Sequence, residues 1–355
     1  MRVAFRTDAS SQIGTGHFMR CLTLAEALKK NGVDISFVSR HLPIYLSDML
    51  ISKGLKHIPL SAYYTRDLVD ELAHASWLGV SQAQDAEATV EALSGKVFDW
   101  IVVDHYALDV RWESIVRPNV KKIMVIDDLA DRHHNCDVLL DQNYYADMQT
   151  RYKGKVPAHC KLLLGPSYAM LRDEFRALRE KVKVRNGDVK KVLVFFGGVD
   201  ADNYTLRAIE ALAEVNVTLQ VDVVIGAMHP FKELIENTCA KYDYICHVQT
   251  SRMAELMMEA DLSIGAGGSA TWERCCLGLP AILIAFAKNQ IDIVKNLKSI
   301  GACDYLSDSP SNLSFRTKIN DLLIRKDLLS EISLKAYSLV DGLGAKRIGE
   351  LMYEK

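Results

Sequence analysis

Residues 100–104 read Trp-Ile-Val-Val-Asp, and residues 122–127 read Lys-Ile-Met-Val-Ile-Asp. Each run is continuously apolar and closes on an aspartate. A strand with one wet face alternates apolar and polar residues, so unbroken runs predict parallel strands covered on both faces. Leu139–Asp141 predicts another. Upstream, Arg2–Arg6 predicts a strand and Thr7–Gly16 a polar, glycine-containing loop. His17–Lys30 then places Met19, Leu22, Leu24, Ala25 and Leu28 at helical spacing and stops at Asn31-Gly32, a helix C-terminal cap. Asp34–Ser39 follows as a strand, Pro43–Lys53 as a helix, His57–Leu60 as a short strand, and Arg66–Leu93 as a long helical region with polar breaks. Strand–helix alternation of this kind predicts a doubly wound α/β sheet.

The pattern breaks at Glu180–Lys191, where seven of twelve residues are charged and valine is the only apolar type. This stretch reads as a linker. Alternation then restarts with strands at Val192–Phe196, Leu219–Ile225, Tyr244–Val248, Leu262–Ile264 and Ala281–Ile284. Helices are expected at Tyr204–Val215, Pro230–Lys241, Arg252–Ala260, Ser269–Leu277 and Gln290–Ile300, with a helical tail to Lys355. The expected division is 1–180, carrying the histidine loop, 181–335, binding the nucleotide, and a tail at 336–355. Two Rossmann-like halves would face an interdomain cleft, with ligands at the carboxyl ends of the strands.

Composition narrows the function. The 355 residues are 49% hydrophobic and 25% charged, ordinary for a globular chain of two domains. Lys and Arg total 43 against 45 Asp and Glu, which argues against nucleic acid or an anionic membrane as main partner. The longest apolar run, Leu279–Ala287, is about half a membrane span and contains Pro280. Arg6 and Asp8 interrupt the N-terminal apolar stretch, so no signal peptide is expected. Eight cysteines without a CxxC pair suggest neither a disulfide framework nor a zinc site. A cytoplasmic, monomeric enzyme without cofactor is the expectation.

The loop Ser10–His17 contains Gly14 and Gly16, which let backbone approach a ligand ahead of a helix N-terminus. It is neither a dinucleotide fingerprint nor a Walker loop. His17 falls in the first helical turn, where the positive dipole end disfavours protonation and leaves an imidazole able to act as a general base. The alternative is a hydrogen-bonded structural histidine. Arg20, one turn later, is a candidate cation for a leaving diphosphate, or a surface residue.

Gly265–Glu273 follows a strand and opens a helix. Amides of Gly267, Gly268 and Ser269, with the hydroxyls of Ser269 and Thr271, can cradle a diphosphate, and Glu273 can accept from ribose hydroxyls. Gly198, in the turn Gly197–Asp200, joins this nucleotide set. His105 and Tyr106, after Asp104 at a strand end, and Asn289 with Gln290 are candidate contacts for sugar or phosphate. Asp127-Asp128 suggests a metal pair, or else Asp128 caps the following turn. His133-His134 reads as a solvated loop, and Met257-Met258 and Cys275-Cys276 as core.

These stretches carry a resemblance that covers nearly the whole chain. RTDASSQIGTGHFMRCLTLA, VVDHY, IDDLADRHHNCDVLLDQN, LLGPSYAMLRDEF, FFGGVDADN and ADLSIGAGGSATWERCCLGLPAILI with AKNQ occur in the order seen in the nucleotide-sugar hydrolases of pseudaminic acid biosynthesis. Those enzymes share the GT-B fold with the glycosyltransferase that makes lipid II. The resemblance implies removal of UDP from UDP-2,4-diacetamido-2,4,6-trideoxy-β-L-altropyranose, with inversion, C–O cleavage and no metal. It implies that His17 is the catalytic histidine and that Ser269, Thr271 and Glu273 belong to the nucleotide loop. Val199 departs from the small hydroxyl residue expected after two glycines.

Three other readings remain open: a GT-B glycosyltransferase, a non-catalytic nucleotide-sugar binder, and an epimerase of the same fold. A membrane-associated transferase would need a basic-apolar patch, and Arg40–Ile44 is the place for it.

Overall fold

The computed structural model describes residues 1–61, 70–182, 185–286, 288–306 and 311–354, with the side chains of 288 and 289 left out. It divides into two compact units.

The first unit comprises Met1–Asn143, Asp147–Met170 and Gly344–Lys355. Its strands are β1 (Arg2–Thr7), β2 (Asp34–Ser39), β3 (Lys56–Pro59), β4 (Phe98–Asp104), β5 (Val120–Ile126), β6 (Val138–Asp141) and β7 (Lys161–Leu164). The helices are α1 (Gly16–Lys29), α2 (Ile44–Ser52), α3 (Gln82–Ala92) and α4 (Val110–Val116), with a 3₁₀ turn at Ala75–Trp77. The sheet is parallel, in the order β3-β2-β1-β4-β5-β6-β7. One side of it packs Val3, Phe5, Phe37, Trp100, Val102 and Met124 against Phe18, Leu24 and Leu28 of α1; the other packs Ile101, Val103 and Ile123 against Trp112 of α4. That is why β4 and β5 show no alternation.

The second unit comprises Tyr144–Ala146 and Leu171–Leu343. It contains α5 (Asp173–Arg179), β8 (Lys191–Phe195), α6 (Tyr204–Ala213), β9 (Gln220–Ile225), α7 (Lys232–Lys241), β10 (Ile245–Val248) and α8 (Met253–Glu259). It continues with β11 (Leu262–Ala266), α9 (Ala270–Cys276), β12 (Ala281–Ile284), α10 (Lys288–Ser299), β13 (Asp304–Tyr305), α11 (Asn312–Leu323) and α12 (Lys326–Leu339). Its parallel order is β10-β9-β8-β11-β12-β13. Met257, Cys275 and Cys276 are core, as read.

The expected boundaries move. The first unit ends at Met170 rather than 180, and the tail does not stand apart, because α13 (Gly344–Tyr353) rejoins the first unit. Ile348 and Met352 enter its core, and Trp100 Nε1 donates to the Met352 carbonyl at 3.1 Å. Nor is the charged stretch a free linker. Arg185 is buried, and its guanidinium donates to the carbonyls of Met257, Met258, Ala260, Leu277 and Gly278. One of the stretch's charges is thus structural, satisfying helix-end carbonyls that have no intrahelical donor. Part of the predicted Arg66–Leu93 helix lies outside the described residues; the remainder is the 3₁₀ turn and α3.

Both sheets reverse their strand order once, between β1 and β4 and between β8 and β11. Loops leaving such neighbours go to opposite faces of the sheet, which opens a crevice at the carboxyl ends. The histidine loop leaves β1 and Asp104 closes β4; Gly197-Gly198 follows β8 and Gly267–Ser269 follows β11.

Candidate active site

In the first unit, Thr7 of β1 lies in register with Asp104 of β4. The loop between β1 and α1 turns back on itself, with Gly14 N–H donating to the Ser10 carbonyl at 2.8 Å and Gly14 at φ +77°, a conformation glycine adopts without strain. Gly14 and Gly16 are exposed. The turn delivers His17, with a side chain 9% exposed, to the end of β4.

There, His17 Nδ1 lies 2.6 Å from Asp104 Oδ1. A carboxylate only accepts, so Nδ1 is the donor in this bond, and Nε2 is the ring nitrogen not engaged by Asp104. Arg20 donates Nε to Asp104 Oδ2 at 2.6 Å and Nη2 to Oδ1 at 2.7 Å. Asp104 is fully buried, and burial alone would raise its pKa. Arg20 and His17 overcome that and hold it well below the usual carboxylate range. Arg20 Nη1 also reaches Asp128 Oδ2 at 3.1 Å, and Asp128 accepts from the Tyr106 hydroxyl. The Tyr106 ring meets the His17 ring edge-on at 4.5 Å, while Trp77 stacks on Tyr106 at 5.6 Å and His74 packs against both. The result is a histidine with one nitrogen anchored and an aromatic wall beside it.

Arg20 is therefore partly buried rather than a surface residue. Its guanidinium is committed to Asp104 and Asp128. His105 also departs from expectation: its side chain is 1% exposed, its Nδ1 accepts from Ala107 N–H, and its Nε2 lies 3.3 Å from Asp8. Asp8 belongs to a buried network in which Arg6 bridges Asp8 and Asp85, and Arg40 pairs with Asp85. Arg40 thus contributes nothing to a basic surface patch. His134 is not solvated either. It is buried 2.7 Å from Glu113 and 3.9 Å from Asp127; burial disfavours its charge, but Asp127 and Glu113 lift its pKa to about 9. The turn cap is Asp127 rather than Asp128: it accepts from Ala130 N–H at 2.9 Å and pairs with Arg132 at 2.8 Å, while Asp128 is taken up by Arg20 and Tyr106. Among the described residues, no group of three or more His, Cys, Asp and Glu side chains is placed to hold a metal.

In the second unit, close packing shapes the glycine loops. A Cβ on Gly267 would lie 2.2 Å from Val294 Cγ2, and one on Gly226 2.3 Å from the Gly198 carbonyl. Gly198 and Gly268 have room for a ligand on their open sides, with Gln290 Nε2 3.7 Å from a Cβ position on Gly268. Gln290 Oε1 accepts from Phe286 N–H at 3.1 Å, tying α10 to the end of β12. The side chain of Asn289 lies outside the described residues. Ser269 is exposed and does not cap α9, whereas Thr271 is buried with its hydroxyl unpartnered. Glu273, 20% exposed, is raised by burial against the pull of Arg172, 3.5 Å away. Beneath the loop, Arg274 donates to Ser263 Oγ and to the carbonyls of Phe195 and Ala266, pinning β8 to β11; burial lowers its pKa to about 10.

Trp77, His74 and Arg172 are not among the sequence-derived candidates, and Asp104 and Asp128 figure there only as a strand end and as half of an acidic pair. The signal for Asp104 was its place at a strand end next to the strand that feeds the histidine loop.

Comparison with known proteins identifies the fold. Residues 191–327 match the Glycosyltransferase family 28 C-terminal domain. Acinetobacter baumannii MurG superposes with a TM-score of 0.69 at 16% identity, covering 99% of this chain and 98% of that one. The fold is GT-B. Within it, the chain is similar to the UDP-2,4-diacetamido-2,4,6-trideoxy-β-L-altropyranose hydrolase of Campylobacter jejuni, at 26% identity over 82% of this chain and 93% of the relative. It is also similar to the spore coat polysaccharide biosynthesis protein SpsG of Bacillus subtilis, at 23% identity over 85% of this chain and 82% of that protein. Among the described residues, no helix of this GT-B chain is long and apolar enough to cross a membrane.

Proposed function

We propose that this chain hydrolyses a UDP-linked 2,4-diacetamido-2,4,6-trideoxy sugar, UDP-2,4-diacetamido-2,4,6-trideoxy-β-L-altropyranose, to UDP and the free sugar. The observation that carries the reading is the His17–Asp104 pair, which leaves Nε2 as a base at the switch point of the first sheet. Similarity to the Campylobacter jejuni hydrolase supplies the substrate class.

In this reading, water attacks the anomeric carbon as His17 Nε2 takes its proton. The bond between that carbon and the phosphate oxygen breaks, UDP leaves with the electron pair, and the sugar emerges inverted. Asp104 stays ionised and balances the imidazolium formed in the step, as the aspartate does in a Ser-His-Asp triad. Charge grows on the departing diphosphate, so amides of Gly267 and Gly268 with the Ser269 hydroxyl have their largest effect in the transition state. Glu273 would hold ribose, with Arg172 beside it as a cation. We assign Tyr106, Gln290 and Asn289 to the sugar–phosphate contacts and expect no metal requirement. The protein would act as a cytoplasmic monomer.

The test is incubation of purified protein with the UDP-sugar in EDTA, without an acceptor. UDP and reducing sugar are expected in equal amounts. The GT-B neighbours and the family 28 match favour a second reading, sugar transfer to an acceptor. UDP release that requires an added acceptor alcohol would establish it.

A further inference from the structure

Two acceptors converge on the hydroxyl of Tyr152, a residue of the first unit. Its oxygen lies 2.9 Å from the Asp127 carbonyl and 3.1 Å from Asp141 Oδ2. A phenol has one proton, and a carbonyl oxygen can only accept. If Asp141 is ionised the two acceptors must share that one proton; if Asp141 carries a proton of its own, it donates to Tyr152 and each contact is a full hydrogen bond.

Asp141 closes β6 and is 2% exposed; its Oδ1 accepts from Asn143 N–H at 3.0 Å. Asn143 Nδ2 donates onward to Asp128 Oδ2 at 3.3 Å, the oxygen that holds Arg20 Nη1. The charged groups facing Asp141 are Asp127 and Asp128 from the end of β5, which oppose its ionisation, and Arg151, whose Nε at 3.7 Å favours it. Burial and the repulsion of Asp128 prevail over Arg151 and lift the carboxyl to about 8. A second anionic carboxylate here would repel Asp128.

We propose that Asp141 is a neutral carboxylic acid at physiological pH and a positioning residue: with its proton donated to Tyr152, it places no second negative charge beside Asp128, which holds Arg20 behind the Asp104–His17 pair. The inference rests on the function above only in the task assigned to that pair, since the proton itself is read without substrate.

The experiment is a pH titration of wild-type protein with ¹³C-labelled aspartate carboxyls, following the His17 ring resonances in parallel and repeating both on Asp141→Asn. One aspartate carboxyl is expected to titrate near pH 8 in the wild type and to be missing from the variant, whose amide reproduces the bond to Tyr152. The His17 resonances should show a step at the same pH in the wild type alone. Ionisation of every aspartate below pH 5 overturns the proposal using wild-type protein only. A His17 step that persists in Asp141→Asn overturns the positioning role. Should the titration appear while no UDP-sugar is hydrolysed, the proposed function falls and the buried acid stands.

Discussion

His17 Nδ1 and Asp104 Oδ1 meet at 2.6 Å across 87 residues of sequence, at the point where the first sheet reverses its strand order. The loop after β1 brings the histidine and the end of β4 brings the carboxylate. Arg20 holds the same carboxylate from the next turn of α1, so the imidazole orientation depends on three residues from two elements.

Replacing Asp104 with Asn removes one anionic oxygen and lets the side-chain amide face His17 Nδ1. The tautomer that leaves Nε2 unprotonated then loses its partner. Turnover of the UDP-sugar should fall by about 10²- to 10⁴-fold, with UDP affinity measured calorimetrically unchanged, because the glycine loops of the second unit are untouched. His17→Ala should lose as much, and the double variant no more than either alone. Wild-type turnover by Asp104→Asn would remove the pair from the reaction.

The buried His134 makes stability depend on pH. Its folded pKa, about 9, lies above the ordinary 6.5. Its contribution is therefore complete below pH 6.5 and lost as pH rises through 9. The 2.5-unit difference corresponds to on the order of 3 kcal/mol. His134→Gln should destabilise most at pH 6 and progressively less toward pH 9.5, read as the difference in denaturant midpoints. A constant difference across that range contradicts the assignment.

Gly265 of β11 lies in register with Phe195 of β8. A Cβ there would lie 2.1 Å from the Phe195 carbonyl and 2.4 Å from Arg274 Nη2. Gly265→Ala should cost about 1–3 kcal/mol by forcing backbone apart. It should also weaken UDP binding, because Arg274 pins the ends of both strands. Unchanged stability in urea unfolding would show that the strands separate freely.

Arg185 donates to five carbonyls and faces no carboxylate within hydrogen-bond reach among its described contacts. Arg185→Met fills similar volume but leaves those acceptors without donors. Unfolding free energy should drop by about 2–4 kcal/mol, with the cost of unsatisfied buried carbonyls dominating. A loss below 0.5 kcal/mol would mean that water replaces the guanidinium.

Much of the fold was legible because buried parallel strands write themselves as apolar runs: β4, β5, β8 and β12 stand close to their predicted ranges. Short or less hydrophobic elements escaped, among them β7, α4, α5 and the two-residue β13. They are held by neighbours more than by their own pattern. His17 was legible as a candidate since a histidine after a glycine turn at a helix start is a local feature. Asp104 was not, because its role depends on β1 and β4 being adjacent. Arg20 reads as a diphosphate cation or a surface residue, Arg40 as part of a possible basic patch and Arg185 as a linker charge for the same reason: one residue's burial is decided by chain segments 45 to 93 positions away. The α13 helix joined the first unit on a tertiary contact that no local motif announces.

The most direct test of the central claim is hydrolysis of the UDP-sugar in ¹⁸O-water, with mass analysis of both products. Water activated by His17 at the anomeric carbon puts the label in the free sugar and leaves UDP unlabelled. Labelled UDP with unlabelled sugar would place the attack at phosphorus and contradict the account.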